Sequence, residues 1–158
     1  MNQASPNVVI IMVDEQKTNS LPLYGNPIVK TPHLEKLAAE GVLFNHAYAT
    51  TPYCVPARVS LMTGRYPHTT GSRSNAVLLQ PSEQHMIQSF RDHGYRTGLV
   101  GKNHCFQADA LDLFDYLWQA GHQGPIDAHD AVAAQAKQWL VDSQVSRKAW
   151  GAAHCPFP

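Results

Sequence analysis

Six consecutive apolar residues, VVIIMV at positions 8–13, narrow the range of folds open to this chain. The run is rich in β-branched residues and is too short to cross a membrane as a helix. A short, uninterrupted apolar run of this kind is typical of a strand that is covered on both faces. Because helices usually supply that cover, the run predicts a parallel sheet packed between helices.

The segments that follow alternate between helical and strand patterns. Thr31 before Pro32 is a helix-start signal, Ser82 is another, and Gly41 and Gly94 are stop signals. The predicted helices cover residues 31–41, 56–62, 82–94 and 128–141, and the predicted strands cover residues 8–13, 42–49 and 95–100. This alternation predicts the α/β class, with a mostly parallel central sheet flanked by helices.

The charge balance and apolar content exclude several classes of protein. Twelve basic residues cancel twelve acidic ones, so neither nucleic acid nor a membrane is expected as a partner. The hydrophobic fraction of 44% argues against disorder, and 158 residues suffice for one domain. The sequence shows no signal peptide, which favours a cytoplasmic protein. Three cysteines at irregular spacing imply no disulfide framework.

Polar side chains follow each predicted strand at the point where it ends. Asp14 and Glu15 follow the first strand, Cys54 follows the second, and Lys102 and His104 follow the third. In a parallel sheet the carboxyl ends of the strands share one edge, where ligands gather. Each feature alone has an ordinary structural interpretation, as a turn, a buried thiol or surface charge. Their coincidence indicates a site, but it does not identify the reaction.

Two longer motifs carry a family resemblance. Cys54-Val55-Pro56-Ala57-Arg58, followed by Thr63-Gly64-Arg65, resembles the C-x-P-[SA]-R-x₄-T-G signature of the sulfatase family, within the alkaline-phosphatase-like superfamily. The second family signature, G-Y-x-T-x-x-x-G-K-x-H, is matched by Gly94, Tyr95, Thr97, Gly101, Lys102 and His104. Weaker similarity extends the resemblance over residues 7–104, and it implies an alkaline-phosphatase-like α/β fold, here incomplete.

The resemblance assigns chemistry to Cys54. In the family, a maturation enzyme oxidises this cysteine to formylglycine, an aldehyde that hydrates to a geminal diol. One hydroxyl attacks the sulfur of a sulfate ester, and the second then expels sulfate and regenerates the aldehyde. The resemblance therefore implies a sulfuric ester hydrolase whose partners are a small sulfate ester and the maturation enzyme.

The resemblance also implies a metal site. Asp14, Glu15 and the modified Cys54 would bind a divalent cation, with Ca²⁺ expected first and Mg²⁺ or Mn²⁺ as alternatives. Other members of the family carry Asp-Asp or Asp-Gln where this chain has Asp14-Glu15. Because of this departure, Glu15 is the weaker ligand candidate.

Three basic side chains receive catalytic roles from the same resemblance. Arg58 would hold the diol by hydrogen bonds. Lys102 and His104 would contact the sulfate oxygens or the leaving group, where negative charge develops. Cys105, which follows His104, is interpreted as a packing residue.

Three alternatives remain open from the sequence. The same site chemistry serves phosphonate monoesters and phosphodiesters, so a hydrolase of those esters is the first alternative. The second is an inactive, truncated sulfatase fragment. The third, a metal-binding or anion-binding module without catalysis, rests only on Asp14 and the nine histidines.

The domain prediction divides the chain at residue 145. Residues 1–145 resemble the N-terminal part of a sulfatase catalytic domain, and residues 146–158 are expected to form an irregular tail. Family members run to several hundred residues and take further metal ligands and a second lysine from downstream. We therefore expect a truncated or frameshifted chain that is weakly active and prone to aggregate.

Overall fold

The computed structural model describes residues 6–119 and 128–149 of the chain. The chain forms two compact units, Met1–Tyr48 and Ala49–Pro158. Each unit has its own helices.

Over residues 6–48, the first unit contains two short 3₁₀ helices, Thr18–Ser20 and Pro22–Tyr24, and one α-helix, α1, at Pro32–Glu40. The predicted helix at 31–41 is confirmed. Its cap works differently from the prediction, because the Thr31 side chain makes no capping hydrogen bond. Instead, the backbone N–H of Thr31 donates to the carboxylate of Glu35 at 3.2 Å.

The predicted strands at residues 8–13 and 42–49 are wrong for this structure, which has no strand in either segment. Residues 8–13 are exposed instead, and Ile11 reaches 81% exposure. A strand is stabilised by hydrogen bonds to a neighbouring strand, and neither segment forms such a ladder within the described residues. The apolar pattern identified segments suited to a sheet, but a pattern does not supply the neighbouring strand.

The second unit contains four α-helices and two strands within the described residues. The helices are α2 at Cys54–Thr63, α3 at Pro67–Thr70, α4 at Met86–Asp92 and α5 at Ala128–Ala149. A six-residue 3₁₀ helix spans Ala108–Leu113. Strands β1, Gly98–Gly101, and β2, Tyr116–Gln119, pair in parallel with Gly98 opposite Tyr116. The sequence prediction of a strand at residues 95–100 overlaps β1, and β2 was missed.

Two helix boundaries differ from the sequence prediction by about a turn or by more than a turn, the start of α4 and the end of α5. Helix α4 begins at Met86, because the ring Nδ1 of His85, not Ser82, accepts a hydrogen bond from the Gln88 N–H at 3.3 Å. Helix α5 continues past the predicted end at Val141 to Ala149. The first residues of the predicted irregular tail are therefore helical, while residues 150–158 lie outside the described residues. The division at residue 145 stays a prediction.

A small apolar core fixes the position of α2. Val55 and Val59 lie one helical turn apart and are 0% and 1% exposed. The other members of this cluster are Leu79, Cys105, Phe106 and Phe114. Because α2 buries this face, its first residue, Cys54, is held at the edge of the core and stays half-buried.

None of the helices in the described residues is both long enough and apolar enough to cross a membrane.

Candidate active site

Cys54 is the first residue of α2. Tyr53 precedes it in an extended conformation, with φ −101° and ψ 139°, and Pro56 occupies the first turn. Proline is well suited to a first turn because the N–H that it lacks would have no partner within the helix. The sequence C-V-P therefore starts a helix directly at the cysteine, and the side chain of Cys54 lies at the positive end of the helix dipole.

Lys102 lies beside Cys54. The Nζ atom of Lys102 is 4.0 Å from the Sγ atom of Cys54, although 48 residues separate the two in the sequence. Gly101 ends β1 with φ 99°, a left-handed conformation that favours glycine and turns the chain into Lys102. The structure thus brings together two of the predicted catalytic residues.

Arg58 connects α2 to the same segment. Its Nη1 donates a hydrogen bond to the backbone carbonyl of Lys102 at 3.4 Å. Arg58 and Cys54 are four residues apart, so both lie on one face of the helix. The Lys102 ammonium group and the N-terminus of α2 therefore lie beside Cys54, an arrangement that suits an anion, and Arg58 is hydrogen-bonded to the backbone of Lys102.

His104 is half-buried, two residues after Lys102. The intervening Asn103 shapes this part of the chain, because its Oδ1 accepts hydrogen bonds from the N–H groups of Cys105 and Phe106 at 3.3 and 3.0 Å. Its Nδ2 donates back to the Phe106 carbonyl at 3.1 Å. The loop that carries Lys102 and His104 is therefore stabilised by the side-chain hydrogen bonds of Asn103 as well as by packing against the core.

The charge of Arg58 also affects the pKa of the buried Cys105 thiol. Burial raises the pKa of Cys105 to about 11, because the core disfavours a thiolate, and the nearby charge of Arg58 opposes this only in part. Cys105 is 4% exposed and belongs to the apolar cluster. Its predicted packing role agrees with this position.

Asp14 and Glu15, the predicted metal ligands, belong to the first unit, whereas Cys54 belongs to the second. Both acidic residues are exposed. Glu15 has φ 55°, and no other non-glycine residue in the described part of the chain has a positive φ. Such a conformation costs about 1 kcal/mol or more and is often found at functional sites.

The donor chemistry at residues 14 and 15 fits a hard cation, since carboxylate oxygens are the ligands that Ca²⁺ and Mg²⁺ prefer. Over residues 6–119 and 128–149, however, no group of three or more His, Cys, Asp and Glu side chains could hold a metal ion. The assignment of Asp14, Glu15 and Cys54 as a ligand set stays a prediction.

The sequence analysis assigned no individual role to Asn75. Its Oδ1 accepts a hydrogen bond from the backbone N–H of Val55 at 3.0 Å, next to Cys54. Asn75 is exposed, lies 20 residues away and belongs to neither motif, so local sequence carried no signal for this contact.

Comparison with known proteins identifies the family. The sulfatase family model matches residues 6–148. This chain belongs to the sulfatase family. The resemblance of the two motifs is therefore confirmed, and the match extends well beyond them on both sides.

Curated relatives of this sulfatase-family chain include enzymes from bacteria and mammals. It is 46% identical over 99 residues to the ulvan-active sulfatase of Formosa agariphila, covering 63% of this chain and 19% of the relative. It is 38% identical over 110 residues to the steryl-sulfatase of Rattus norvegicus, covering 63% and 19%. The chain therefore spans about a fifth of the length of these relatives.

Solved structures support the fold. The structure of BT4656 in complex with its substrate D-glucosamine-2-N,6-O-disulfate matches with a TM-score of 0.66 and 28% identity, covering 71% of this chain and 22% of the other. The crystal structure of Ps i-CgsB matches with a TM-score of 0.64 and 28% identity, covering 80% and 31%. The predicted alkaline-phosphatase-like α/β fold is confirmed, and the small parallel sheet is consistent with an incomplete α/β domain.

Proposed function

We propose that this chain belongs to a sulfuric ester hydrolase in which residue 54, converted from cysteine to formylglycine, is the nucleophile. One observation carries the proposal. In a chain of the sulfatase family, the Nζ of Lys102 lies 4.0 Å from the Sγ of Cys54 at the N-terminus of α2. This position combines a side chain that can be activated with a positively charged neighbour, as hydrolysis of an anionic ester requires.

The Sγ atom of Cys54 stands in for an oxygen of the hydrated aldehyde. In the proposed reaction, one hydroxyl of the diol loses its proton and forms a bond to sulfur, while the bond from sulfur to the alcohol oxygen breaks. The alcohol leaves with a proton. The second hydroxyl then loses its proton, the carbon–oxygen double bond re-forms, and the bond from carbon to the sulfate oxygen breaks. Sulfate leaves, and water hydrates the aldehyde again.

The neighbouring residues stabilise the charges in this sequence. Lys102 is assigned to the sulfate oxygens, because its ammonium group lies beside residue 54. His104, two residues further along, is assigned to the leaving alcohol, since an imidazole can donate a proton near neutral pH. Arg58 is assigned to the diol, because it lies one turn after residue 54 and a guanidinium carries five N–H donors.

A divalent cation is part of the proposal. Asp14 and Glu15 would hold it with carboxylate oxygens, and Ca²⁺ is the first candidate because it accepts several such ligands. When bound, the cation would supply positive charge that favours an ionised nucleophile and polarises the ester. The strained conformation of Glu15 supports a functional role for this segment.

The substrate class proposed is a small sulfate ester, and a maturation enzyme is proposed as the partner that oxidises Cys54. The relatives support the substrate class, since they include an ulvan-active sulfatase and a steryl-sulfatase. Their organic groups differ widely, so the sulfate ester itself is the common feature.

The first test compares hydrolysis of an aryl sulfate with hydrolysis of an aryl phosphonate, after mass spectrometry has shown formylglycine at residue 54. We expect preferential turnover of the sulfate, loss of turnover in Cys54→Ala, and a decrease of about 10²–10³-fold in Lys102→Ala. Lys137→Ala, on the exposed surface of α5, is the matched control and should retain full activity. Faster turnover of the phosphonate would favour the phosphonate-hydrolase alternative, and no turnover despite full conversion would favour the inactive fragment.

The second test concerns the cation. Added Ca²⁺ should raise the free energy of unfolding by about 2.7 kcal/mol at a concentration one hundred times its Kd. Asp14→Asn should abolish this increase, whereas Glu40→Gln, an exposed acid at the end of α1, should leave it unchanged. The same Ca²⁺ effect in wild type and Asp14→Asn would contradict the assignment.

A further inference from the structure

The side chain of Asn75 provides a cap for α2 from a distant loop. The first N–H groups of a helix have no partner within the helix. At α2, the residue before the helix, Tyr53, supplies no side-chain hydrogen bond. The Oδ1 of Asn75 accepts from the N–H of Val55 at 3.0 Å, and Val55 is 0% exposed. Asn75 therefore satisfies a buried donor in the residue that directly follows Cys54.

The loop around Asn75 is closed by its own hydrogen bonds. The Oγ of Ser72 donates to the carbonyl of Val77 at 2.6 Å. Within the same loop, the N–H of Val77 donates to the carbonyl of Ser74 at 3.2 Å. Ser72 is only 1% exposed, so the base of the loop is anchored while its tip, with Asn75, remains exposed. The backbone that carries Asn75 is thus enclosed by two hydrogen bonds of the loop.

The far end of the same loop is tied to the segment that carries Lys102 and His104. The N–H of Leu79 donates to the carbonyl of Cys105 at 2.9 Å. The side-chain Nε2 of Gln107 donates to the carbonyl of Leu79 at 3.0 Å. Leu79 is 4% exposed and belongs to the apolar cluster that also contains Cys105. One loop therefore joins the start of α2 to the loop after β1.

We propose that Asn75 is a positioning residue that fixes the distance between residue 54 and Lys102. Without its amide, the N–H of Val55 loses its acceptor, the first turn of α2 opens toward water, and residue 54 moves away from the Lys102 ammonium group. The consequence for catalysis rests on the proposed sulfatase function. The positioning itself does not, because it concerns only two contacts, Val55 N–H to Asn75 Oδ1 and Cys54 Sγ to Lys102 Nζ.

The first measurement is amide hydrogen exchange at Val55, followed by NMR. We expect Asn75→Ala to increase the exchange rate about tenfold or more, because the N–H loses its partner. Asn75→Asp keeps an acceptor oxygen at the same place and should retain the protection. Gln80→Ala is the matched control, since Gln80 is exposed in the same segment and its side-chain amide donates to the Leu78 carbonyl rather than to α2. Unchanged exchange in Asn75→Ala would overturn the inference.

The second measurement reports the distance itself. A short reagent that joins a thiol to an amine should link Cys54 to Lys102 in the folded, unconverted protein, and peptide mass spectrometry gives the yield. We expect a several-fold lower yield in Asn75→Ala, recovery in Asn75→Asp and no change in Gln80→Ala. A lower melting temperature with an unchanged yield would mean that Asn75 only stabilises the fold, and this result would overturn the inference. Asn75→Ser replaces the alanine variant if the latter fails to fold.

A measurement of turnover distinguishes failure of this inference from failure of the proposed function. In an active, converted enzyme, Asn75→Ala should lower kcat for an aryl sulfate, with a smaller effect on KM, because residue 54 is misplaced in the chemical step. If the converted wild-type protein shows no turnover, the sulfatase proposal fails. The cross-linking yield then still decides whether Asn75 positions residue 54.

Discussion

Cys105 lies in the core directly after His104, and its environment gives the protein a specific response to alkaline pH. Burial raises the pKa of this thiol from 9.0 to about 11, and Arg58 opposes the shift only in part. The folded state therefore favours the protonated thiol, while the unfolded state releases the proton at lower pH. The resulting stability is fully present below pH 9 and is lost as the pH rises toward about 11.

We predict that this loss amounts to about 2–3 kcal/mol of unfolding free energy between those two pH values, since one pKa unit corresponds to about 1.4 kcal/mol. Denaturant unfolding at a series of pH values, under reducing conditions, measures it. Cys105→Ala is the control, because it removes the titrating group while other residues still titrate. Equal loss of stability in wild type and Cys105→Ala over this range would contradict the prediction.

The burial of Cys105 also predicts that its thiol is less reactive than that of Cys54. Cys54 is half-buried at the start of α2, whereas Cys105 is 4% exposed. We expect an alkylating reagent near neutral pH to modify Cys54 in the folded protein and to modify Cys105 only after unfolding, because the reaction needs an accessible thiolate. Peptide mass spectrometry distinguishes the two sites. Equal modification of both in the folded protein would show that Cys105 is more accessible than its position implies.

At the level of elements, helix α5 packs against β1 through a close approach that only glycine permits. A Cβ atom at Gly98 would lie 2.9 Å from the ring of Trp139. Trp139 also stacks on Tyr116 of β2, with ring centroids 6.0 Å apart. The indole thus lies against both strands of the sheet.

We predict that Gly98→Ala lowers the free energy of unfolding by about 1–3 kcal/mol, because the added methyl group overpacks this contact. Thermal or denaturant unfolding gives the value. The matched control is Gly98→Ala in a Trp139→Leu background, where the smaller side chain leaves room and the added methyl should cost less. If the cost is the same in both backgrounds, the contact with Trp139 is not its cause.

At the level of the whole molecule, the first unit exposes many apolar side chains. Ile11 is 81% exposed, Val42 77% and Phe44 66%. Isolated exposed apolar residues are normal, but a continuous apolar segment such as residues 8–13 favours association between molecules. This observation agrees with the expectation of aggregation drawn from the sequence, which stays a prediction.

We predict that the purified 158-residue chain associates in a concentration-dependent manner and that Ile11→Lys together with Phe44→Lys reduces this association. Sedimentation velocity over a range of concentrations measures it. Val141→Lys is the matched control, since Val141 is a 50% exposed apolar residue on α5 and lies outside the segment. A chain that remains monomeric at every concentration would refute the prediction.

Sequence alone identified the family and named candidate site residues. Helices α1 and α2 were predicted within a few residues, because helical hydrogen bonds join residues four apart and their start and stop signals are local. The motifs around Cys54 and Lys102 named the candidate residues for the same reason, since each motif is a short continuous stretch.

Tertiary structure decided which of these residues meet. The contact between Cys54 and Lys102 spans 48 residues, and the cap that Asn75 gives to Val55 spans 20. The strands also depended on contacts between distant segments. Residues 8–13 have a strand-like pattern but no neighbouring strand, whereas β2 forms because it pairs with β1. Local sequence determines what a segment can form, but strand pairs and active-site contacts require a second segment at the right place, and only the folded chain supplies it.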